Sequence, residues 1–144
     1  MNKVLFDKEN ESRPYLAANA VITKDIDGKK YILLGKRKNI AGAGFYYVPG
    51  GHIKMNEKIG DALIREVKEE CRLDVKMGKI VWVEENFELL HHVNLYYQVH
   101  LIDKNQEPKN LEPNKCEGWQ WFPVSNPPKP LWVTLGDFLK TFTP

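Results

Sequence analysis

An amphipathic helix is the strongest structural signal in this chain of 144 residues. In the segment 57–71, EKIGDALIREVKEEC, apolar residues recur every four positions. This spacing places them on one side of a helix. The apolar stripe consists of Ile59, Leu63 and Val67, broadened by Ile64 and Cys71. A helix with one apolar side needs a packing surface, which the rest of the chain must supply.

Strand patterns lie on both sides of this helix. Strands are predicted at 15–24 and 30–36, joined by a turn at 25–28, and at 79–85 and 93–102. A second helix is predicted near 134–142, after the aromatic segment WQWFPV at 119–124. The order of strands, helix, strands and helix predicts an α/β fold. We expect a mixed β-sheet with helices packed on it, not a doubly wound parallel sheet.

Composition and charge exclude several classes of protein. The hydrophobic fraction of 42% suffices for one core, and the length predicts a single domain over 1–144. Lysine and arginine number 21 against 19 acidic residues, and this near balance argues against binding a nucleic acid polymer. No stretch approaches the ~20 apolar residues that a membrane span needs. Cys71 and Cys116 form no Cys-x-x-Cys pair, so we expect a cytoplasmic protein without disulfides or a zinc site.

Three glutamates of the predicted helix share one face. Glu66, Glu69 and Glu70 stand at i, i+3 and i+4, within a sector of roughly 100°. Carboxylates this close repel one another, and a hard divalent cation such as Mg²⁺ or Mn²⁺ removes the repulsion. The alternative is a solvated helix face, which is the usual role of a charged run. Glu57 and Arg65, eight residues apart, predict an ion pair along the helix.

A glycine-rich loop precedes the acidic helix. Pro49, Gly50 and Gly51 let the backbone approach a ligand closely, and a glycine carbonyl can itself bind a hard metal. A bare phosphate at a helix N-terminus needs no carboxylates beside it. The combination therefore favours a phosphate that arrives bridged to a metal ion.

The spacing of these residues resembles the Nudix box, whose pattern is G-x5-E-x7-R-E-U-x-E-E-x-G-U, with U an apolar residue. The matching positions are Gly51, Glu57, Arg65, Glu66, Val67, Glu69, Glu70 and Leu73. The late glycine alone differs, because Arg72 stands in its place. That glycine lets the chain leave the helix in a left-handed turn. Arg72 therefore predicts strain of about 1 kcal/mol or a different exit from the helix.

The resemblance implies a fold, a reaction and a set of site residues. The fold is the Nudix α/β/α sandwich with a mixed central sheet. The reaction is the Mg²⁺-dependent hydrolysis of a nucleoside diphosphate linked to a group X. By position, the metal ligands and catalytic carboxylates would be Glu66, Glu69 and Glu70, with the Gly50 carbonyl as a further ligand; Glu57 and Arg65 would be structural supports. Either Glu66 or Glu70 would act as the general base.

A narrower resemblance is to Nudix nucleoside triphosphate diphosphatases. It rests on the segments 35–38 (GKRK), 42–44 (GAG), 49–52 (PGGH) and 107–121. It implies substrate contacts by Arg37, Gly51 and Trp132, with Arg37 on phosphate and Trp132 in the base pocket. The alternative for Arg37 is a surface charge that closes a hairpin.

Three functions follow as hypotheses. The first is cleavage of a nucleoside triphosphate to monophosphate and pyrophosphate. The second is hydrolysis of a nucleotide sugar, because the loop 44–57 also resembles GDP-mannose hydrolases. The third is a non-catalytic nucleotide-binding domain, against which the complete set of glutamates argues. Glu117 is a candidate for an extra carboxylate from a distal loop, although a surface cap or turn residue is the simpler interpretation. A homodimer is left open.

Overall fold

A computed structural model describes residues 13–87, 90–132 and 135–142. The described part of the chain forms seven β-strands and two α-helices. The strands are β1 (Tyr15–Ile26), β2 (Lys29–Arg37), β3 (Tyr46–Tyr47), β4 (Gly50–His52), β5 (Val75–Asn86), β6 (His92–Leu101) and β7 (Cys116–Pro123); the helices are α1 (Ile59–Cys71) and α2 (Leu135–Thr141). The predicted order of strands, helix, strands and helix is confirmed.

The strands form one mixed sheet with β1 at its centre. β1 pairs with β6 in parallel and with β2 and β4 antiparallel. β5 adds to β6 on one side, while β3 and β7 add to β2 on the other. The β1–β2 hairpin turns at Asp27 and Gly28, which both have positive φ, at 51° and 79°. An Asp-Gly pair suits such a turn because both residues tolerate the left-handed conformation.

Apolar side chains alternate across the sheet and build a core on each face. On one face Ala18, Ala20 and Ile22 of β1 pack with α1, through Leu63 and Val67. On the other face the core contains Val21, Ile32, Leu34 and Tyr96, together with Leu135 and Phe138 of α2. The period of two along a strand produces this division. The α/β/α sandwich expected from the resemblance is confirmed.

The ends of α1 differ from the sequence prediction. The helix begins at Ile59, not at residue 57, because Lys58 is extended, with φ −69° and ψ 144°. At the other end Arg72 takes the left-handed conformation, with φ 56° and ψ 32°, and its N–H donates to the Lys68 carbonyl at 3.0 Å. The exit from the helix is therefore the one that glycine would adopt. Arg72 bears the strain instead of avoiding it.

Two further details of the prediction were wrong. Ile64 is 38% exposed, so it does not belong to the buried stripe of α1, where Ala62 lies instead. The strand predicted at 79–85 starts earlier, at Val75, and the glycine-rich segment contains the short strands β3 and β4.

Cys71 and Cys116 are buried and free. Within the described residues, no helix combines the length and apolar character required to cross a membrane.

Candidate functional site

A cavity of about 500 Å³ opens beside β4 and gathers most of the predicted site residues. Its wall contains Arg37, Gly50, Gly51, Glu66, Glu70 and Trp132. Glu69 is absent from the described residues that line it. The folded chain therefore brings two of the three clustered glutamates and all three proposed substrate contacts, Arg37, Gly51 and Trp132, to one place.

The two glycines are required by close packing inside the protein. Gly51 lies under the Glu66 carboxyl group, and a Cβ atom there would stand 2.6 Å from the Glu66 carboxyl carbon. A Cβ on Gly50 would collide with the Ala18 carbonyl oxygen and stand 2.8 Å from the Oδ1 atom of Asn19. The sequence predicts room for a ligand at these positions. The protein's own groups fill that room, and the close approach fixes the carboxylates against β4.

Glu70 is tied to the glycine loop in an environment that resists ionisation. The backbone N–H of Gly50 donates to Glu70 Oε2 at 3.0 Å. Burial raises the pKa of Glu70 to about 8, and the negative charges of Glu66 and Glu112 add to the rise. Burial likewise raises the pKa of Glu66, against the opposing influence of Arg65. Burial favours the protonated form of both carboxyl groups, and a cation placed beside them would favour the ionised form.

Arg65 holds the other acidic side chains of the motif. Its Nε and Nη2 atoms donate to the two carboxylate oxygens of Glu57, at 2.7 and 2.9 Å. Its Nη1 donates to Glu66 at 2.9 Å and to Glu69 at 3.2 Å. The hydrogen bonds from Arg65 lower the pKa of Glu57 to about 2. The ion pair predicted between Glu57 and Arg65 is present.

The three predicted ligands do not converge on a common point. Glu69 is directed to Arg65, and its side chain is 52% exposed. Among residues 13–87, 90–132 and 135–142, no three His, Cys, Asp or Glu side chains are grouped closely enough to hold a metal ion. Glu66 and Glu70 share the cavity wall, whereas Glu69 is not among the lining residues and accepts from the same Arg65 Nη1 atom as Glu66.

Aromatic and cationic side chains form one end of the cavity, which we call the aromatic end: Arg37, Tyr47, Lys115 and Trp132. The Arg37 guanidinium lies 4.5 Å from the Tyr47 ring centre and 5.9 Å from that of Trp132. Its Nε donates to the Ala41 carbonyl at 2.6 Å, leaving its terminal nitrogens to other partners. The bond to Ala41 closes the loop between β2 and β3, as the hairpin alternative predicts, while the two rings hold the guanidinium in the cavity wall. Both interpretations of Arg37 agree with these contacts.

The structure places Glu117, the candidate for an extra carboxylate, on the protein surface. Glu117 forms an exposed ion pair with Lys36, at 3.6 Å. Glu112 is the acidic residue whose charge acts on Glu66 and Glu70. The turn that holds it is closed by bonds from the N–H groups of Lys115 and Cys116 to its carbonyl. No local pattern distinguishes the two glutamates, because only the path of the loop brings Glu112 close to α1.

The cavity is also lined by residues that the sequence analysis did not propose for the site. Asn19, Asn94 and His92 line the cavity at its other end, and His52 hydrogen-bonds to His92 with their Nε2 atoms 3.1 Å apart. Burial, followed by the proximity of His92, lowers the pKa of His52. These residues come from three different strands. Their only common signal is polarity on one face of each strand, which becomes visible once the register is known.

Comparison with known proteins agrees with this geometry. Residues 14–142 match the NUDIX domain family. A crystal structure of a MutT NUDIX hydrolase from Burkholderia pseudomallei is similar, with a TM-score of 0.77 and 29% identity, over 91% of this chain and 99% of that one. An ADP-ribose pyrophosphatase from Methanocaldococcus jannaschii is 37% identical over 70 residues, which are 49% of this chain and 39% of the relative.

A low-salt glycan biosynthesis protein, Agl8, from Haloferax volcanii is 33% identical over 85 residues, which are 53% of this chain and 54% of that protein. The chain thus spans about half or less of the length of these curated relatives. The family match, in contrast, covers nearly the whole chain and includes every motif residue described above. The chain belongs to the NUDIX domain family of hydrolases.

Proposed function

We propose that this protein uses a divalent metal ion, Mg²⁺ or Mn²⁺, to hydrolyse a nucleoside diphosphate linked to a group X. The observation that carries the proposal is the placement of Glu66 and Glu70 on one cavity wall against Gly50 and Gly51. Their pKa values are raised, so the folded chain holds two carboxyl groups where ionisation is unfavourable without a cation. A purely structural helix face would leave such groups in solvent.

The donor set suits a hard cation. Glu66, Glu70 and the Gly50 carbonyl would hold it, because carboxylate and carbonyl oxygens are preferred ligands of Mg²⁺. Glu69 would join them by exchanging its single bond to Arg65 for the cation. When bound, the cation neutralises polyphosphate charge and polarises the phosphoryl oxygens.

The remaining roles belong to side chains of this chain. Arg65 orients Glu66 while it is itself fixed by two bonds to Glu57. Arg37 would bind a phosphate oxygen through its terminal nitrogens. Glu66 or Glu70 would accept the proton of the attacking water. Trp132 and Gly51 would contact the substrate, with the Trp132 ring beside the base.

Our first candidate substrate is a nucleoside triphosphate, cleaved to the monophosphate and pyrophosphate. The aromatic end supports it, because a flat base stacks on aromatic rings while Arg37 and Lys115 offer positive charge to a polyphosphate. A single cytoplasmic domain acting on free nucleotides, not on a nucleic acid polymer, fits the near-neutral charge of the chain. The third hypothesis, binding without catalysis, gives no reason for the paired carboxylates.

A second candidate is a sugar-linked nucleoside diphosphate. The similarity to the archaeal ADP-ribose pyrophosphatase favours this class. Both candidates place a diphosphate at the same wall and differ only in the group beyond it. ADP-ribose would be cleaved between its two phosphorus atoms, whereas GDP-mannose hydrolysis of the kind considered from the sequence would release free sugar.

A panel of nucleotides assayed with Mg²⁺ tests the proposal. We expect pyrophosphate from at least one nucleoside triphosphate, or a sugar phosphate together with a nucleoside monophosphate from ADP-ribose, and no product in EDTA. The matched variant Glu70→Gln should fold normally and release no product from either substrate. Binding of nucleotides without turnover at any concentration of Mg²⁺ or Mn²⁺ would contradict the proposal.

A further inference from the structure

The end of the cavity opposite the aromatic end has a floor of polar side chains that the reaction described above does not use. We define this polar floor as Asn19, Glu84 and Asn94. Asn19 and Asn94 line the cavity, and Glu84 lies beneath Asn94 in the neighbouring strand, where the pairing register places it directly opposite. All three belong to the sheet face that carries Val21 and Tyr96 in the core under α2.

The polar floor lies on a sheet face that is otherwise apolar under α2. Strands β1, β5 and β6 each place apolar residues on this face where α2 covers it. Next to this apolar area the same face carries Asn19 on β1, Glu84 on β5 and Asn94 on β6. Ala17 lies next to Asn19 on this face of β1 and also lines the cavity. A face that only met solvent would not need a buried acid, yet Glu84 is 8% exposed, the one buried charged residue in the described part of the chain.

Glu84 fixes the orientation of the Asn94 amide. The Asn94 Nδ2 atom donates to Glu84 Oε1 at 2.5 Å, and Asn19 Nδ2 donates to Asn94 Oδ1 at 3.5 Å. A carboxylate is an acceptor only, so Asn94 must direct its nitrogen, not its oxygen, to Glu84. One N–H of Asn94 and one lone pair of its oxygen remain for a ligand.

Glu84 can accept more hydrogen bonds than its neighbours donate to it. Its Oε2 atom is buried and has no hydrogen-bond partner within the described residues. A buried acceptor without a donor costs free energy, and native proteins keep few of them. Such an atom is expected where the polar groups serve recognition instead of stability.

The floor also adjoins the phosphate side of the site. The Asn19 Oδ1 atom packs against Gly50, whose N–H donates to Glu70. Glu70 in turn acts electrostatically on Tyr47 at the aromatic end. The polar floor therefore contacts Gly50, the residue whose N–H binds the Glu70 carboxylate.

We infer that Asn94, held in one orientation by Glu84, hydrogen-bonds a substrate group that offers a donor and an acceptor together, and that this contact sets substrate preference. The inference rests on the proposed function and extends it. Sugar hydroxyls and the edge of a nucleobase share the required chemistry. Asn94 is then a specificity residue and Glu84 a positioning residue that acts through it.

A double-mutant cycle tests the inference, with Asn94→Ala, Glu84→Ala and the double variant assayed for KM and kcat. We expect each single variant to raise KM about tenfold with little change in kcat, as for the loss of one uniform contact. The double variant should be no worse than Asn94→Ala, because Glu84 acts only through Asn94. Glu84→Gln should restore part of the loss, since its carbonyl oxygen can accept from Asn94. Glu85→Ala is the matched control, because that exposed neighbour pairs with His91 instead.

The substrate panel separates the two sources of the ligand group. ATP, dATP, GTP and ADP-ribose vary the sugar and the base, while inorganic tripolyphosphate has neither. If a sugar hydroxyl is bound, the preference between ATP and dATP should shrink in Asn94→Ala. If a base edge is bound, the preference between ATP and GTP should shrink instead. Tripolyphosphate should respond to none of the variants.

Calorimetric binding of AMP keeps the test independent of turnover. Asn94→Ala should weaken AMP binding about tenfold while leaving binding of inorganic phosphate unchanged. Unchanged KM and unchanged AMP binding in folded variants would overturn the inference and leave the proposed function intact. The inference would also be overturned if Asn94→Ala raised the KM for tripolyphosphate as much as the KM for nucleotides. Additive increases of KM in the double variant would overturn it as well. Absence of hydrolysis by the wild-type protein would instead contradict the proposed function.

Discussion

Glu69 and Glu70 are neighbours in the sequence, but their carboxylates have different partners in the folded protein. Glu70 reaches back to Gly50 and lines the cavity, whereas Glu69 turns to Arg65. One helix step of about 100° causes this difference. Which glutamate meets the cavity is therefore decided by a single position, which a pattern of identical residues does not reveal.

The ion pair between Glu57 and Arg65 predicts a specific dependence of stability on pH. The pKa of Glu57 is lowered to about 2 by Arg65, so ionised Glu57 favours the folded state. This contribution is complete above the unfolded pKa of about 4.3 and is lost as the pH falls towards the folded pKa. Urea unfolding should show Glu57→Gln less stable than the wild type at pH 7, with the difference shrinking between pH 4 and pH 2.

Asp61→Asn is the control for that experiment, because Asp61 lies exposed in the first turn of the same helix. This variant removes one negative charge from the helix and leaves the pair between Glu57 and Arg65 intact. A difference between Glu57→Gln and the wild type that stays constant from pH 7 to pH 2 would contradict the assigned role of the pair.

Gly51→Ala should disturb the carboxylate above it. The added Cβ would stand 2.6 Å from the Glu66 carboxyl carbon, so Glu66 must move although Arg65 holds it. We expect a loss of about 1–3 kcal/mol in the free energy of unfolding, as for overpacking elsewhere. Thermal unfolding checks it, with Gly60→Ala as the control, since there the nearest atom is the Met77 Cγ at 3.3 Å, on a flexible side chain. Equal stability of Gly51→Ala and the wild type would show that the position has spare room.

At the scale of elements, α1 is the part of the fold that the sequence predicts best. Its apolar period and its acidic face survive in the structure, because both follow from helix geometry alone. Its start was misplaced by two residues, since Glu57 directs its carboxylate to Arg65 and to the Lys54 N–H and so belongs to a turn. That choice depends on a contact eight residues away, which local propensity does not contain.

The short strands β3 and β4 also could not be predicted from the local sequence. β3 has two residues and β4 has three, too few for any period to appear. Their positions are set by pairing with β2 and β1, not by their own sequence. Since β4 carries Gly50 and Gly51, the most important backbone of the site was the least predictable part of the fold.

The end of α1 offers a test at this scale. Arg72 is left-handed, with φ 56°, at a position where glycine avoids steric strain. Arg72→Gly should relieve the strain and so raise the free energy of unfolding by about 1 kcal/mol. Glycine also makes the unfolded chain more flexible, and this effect reduces the gain. Arg72→Ala keeps the Cβ and should give no gain, so comparing the two thermal unfolding midpoints isolates the backbone term. A lower midpoint for Arg72→Gly than for Arg72→Ala would contradict the strain.

At the scale of the whole molecule, the site exists because elements distant in the sequence meet. The glycine loop and α1 are adjacent in the chain, so their combination could be read as one motif. Glu112 and the polar floor could not, because their neighbours are fixed by the path of a loop and by the register of three strands. Arg37 and Trp132 were found through resemblance, and the structure places both in the cavity wall.

The central claim is that the clustered glutamates bind the cation on which hydrolysis depends. Its most direct test is the initial rate of nucleotide hydrolysis as a function of Mg²⁺ concentration, for the wild type, Glu69→Gln and Glu70→Gln. Glu117→Gln is the control, because that glutamate pairs with Lys36 on the protein surface. We predict saturation with Mg²⁺ for the wild type and for Glu117→Gln, no turnover in EDTA, and losses of roughly 100-fold or more in the other two variants. Turnover that survives EDTA, or near-normal rates in both Glu69→Gln and Glu70→Gln, would contradict the account.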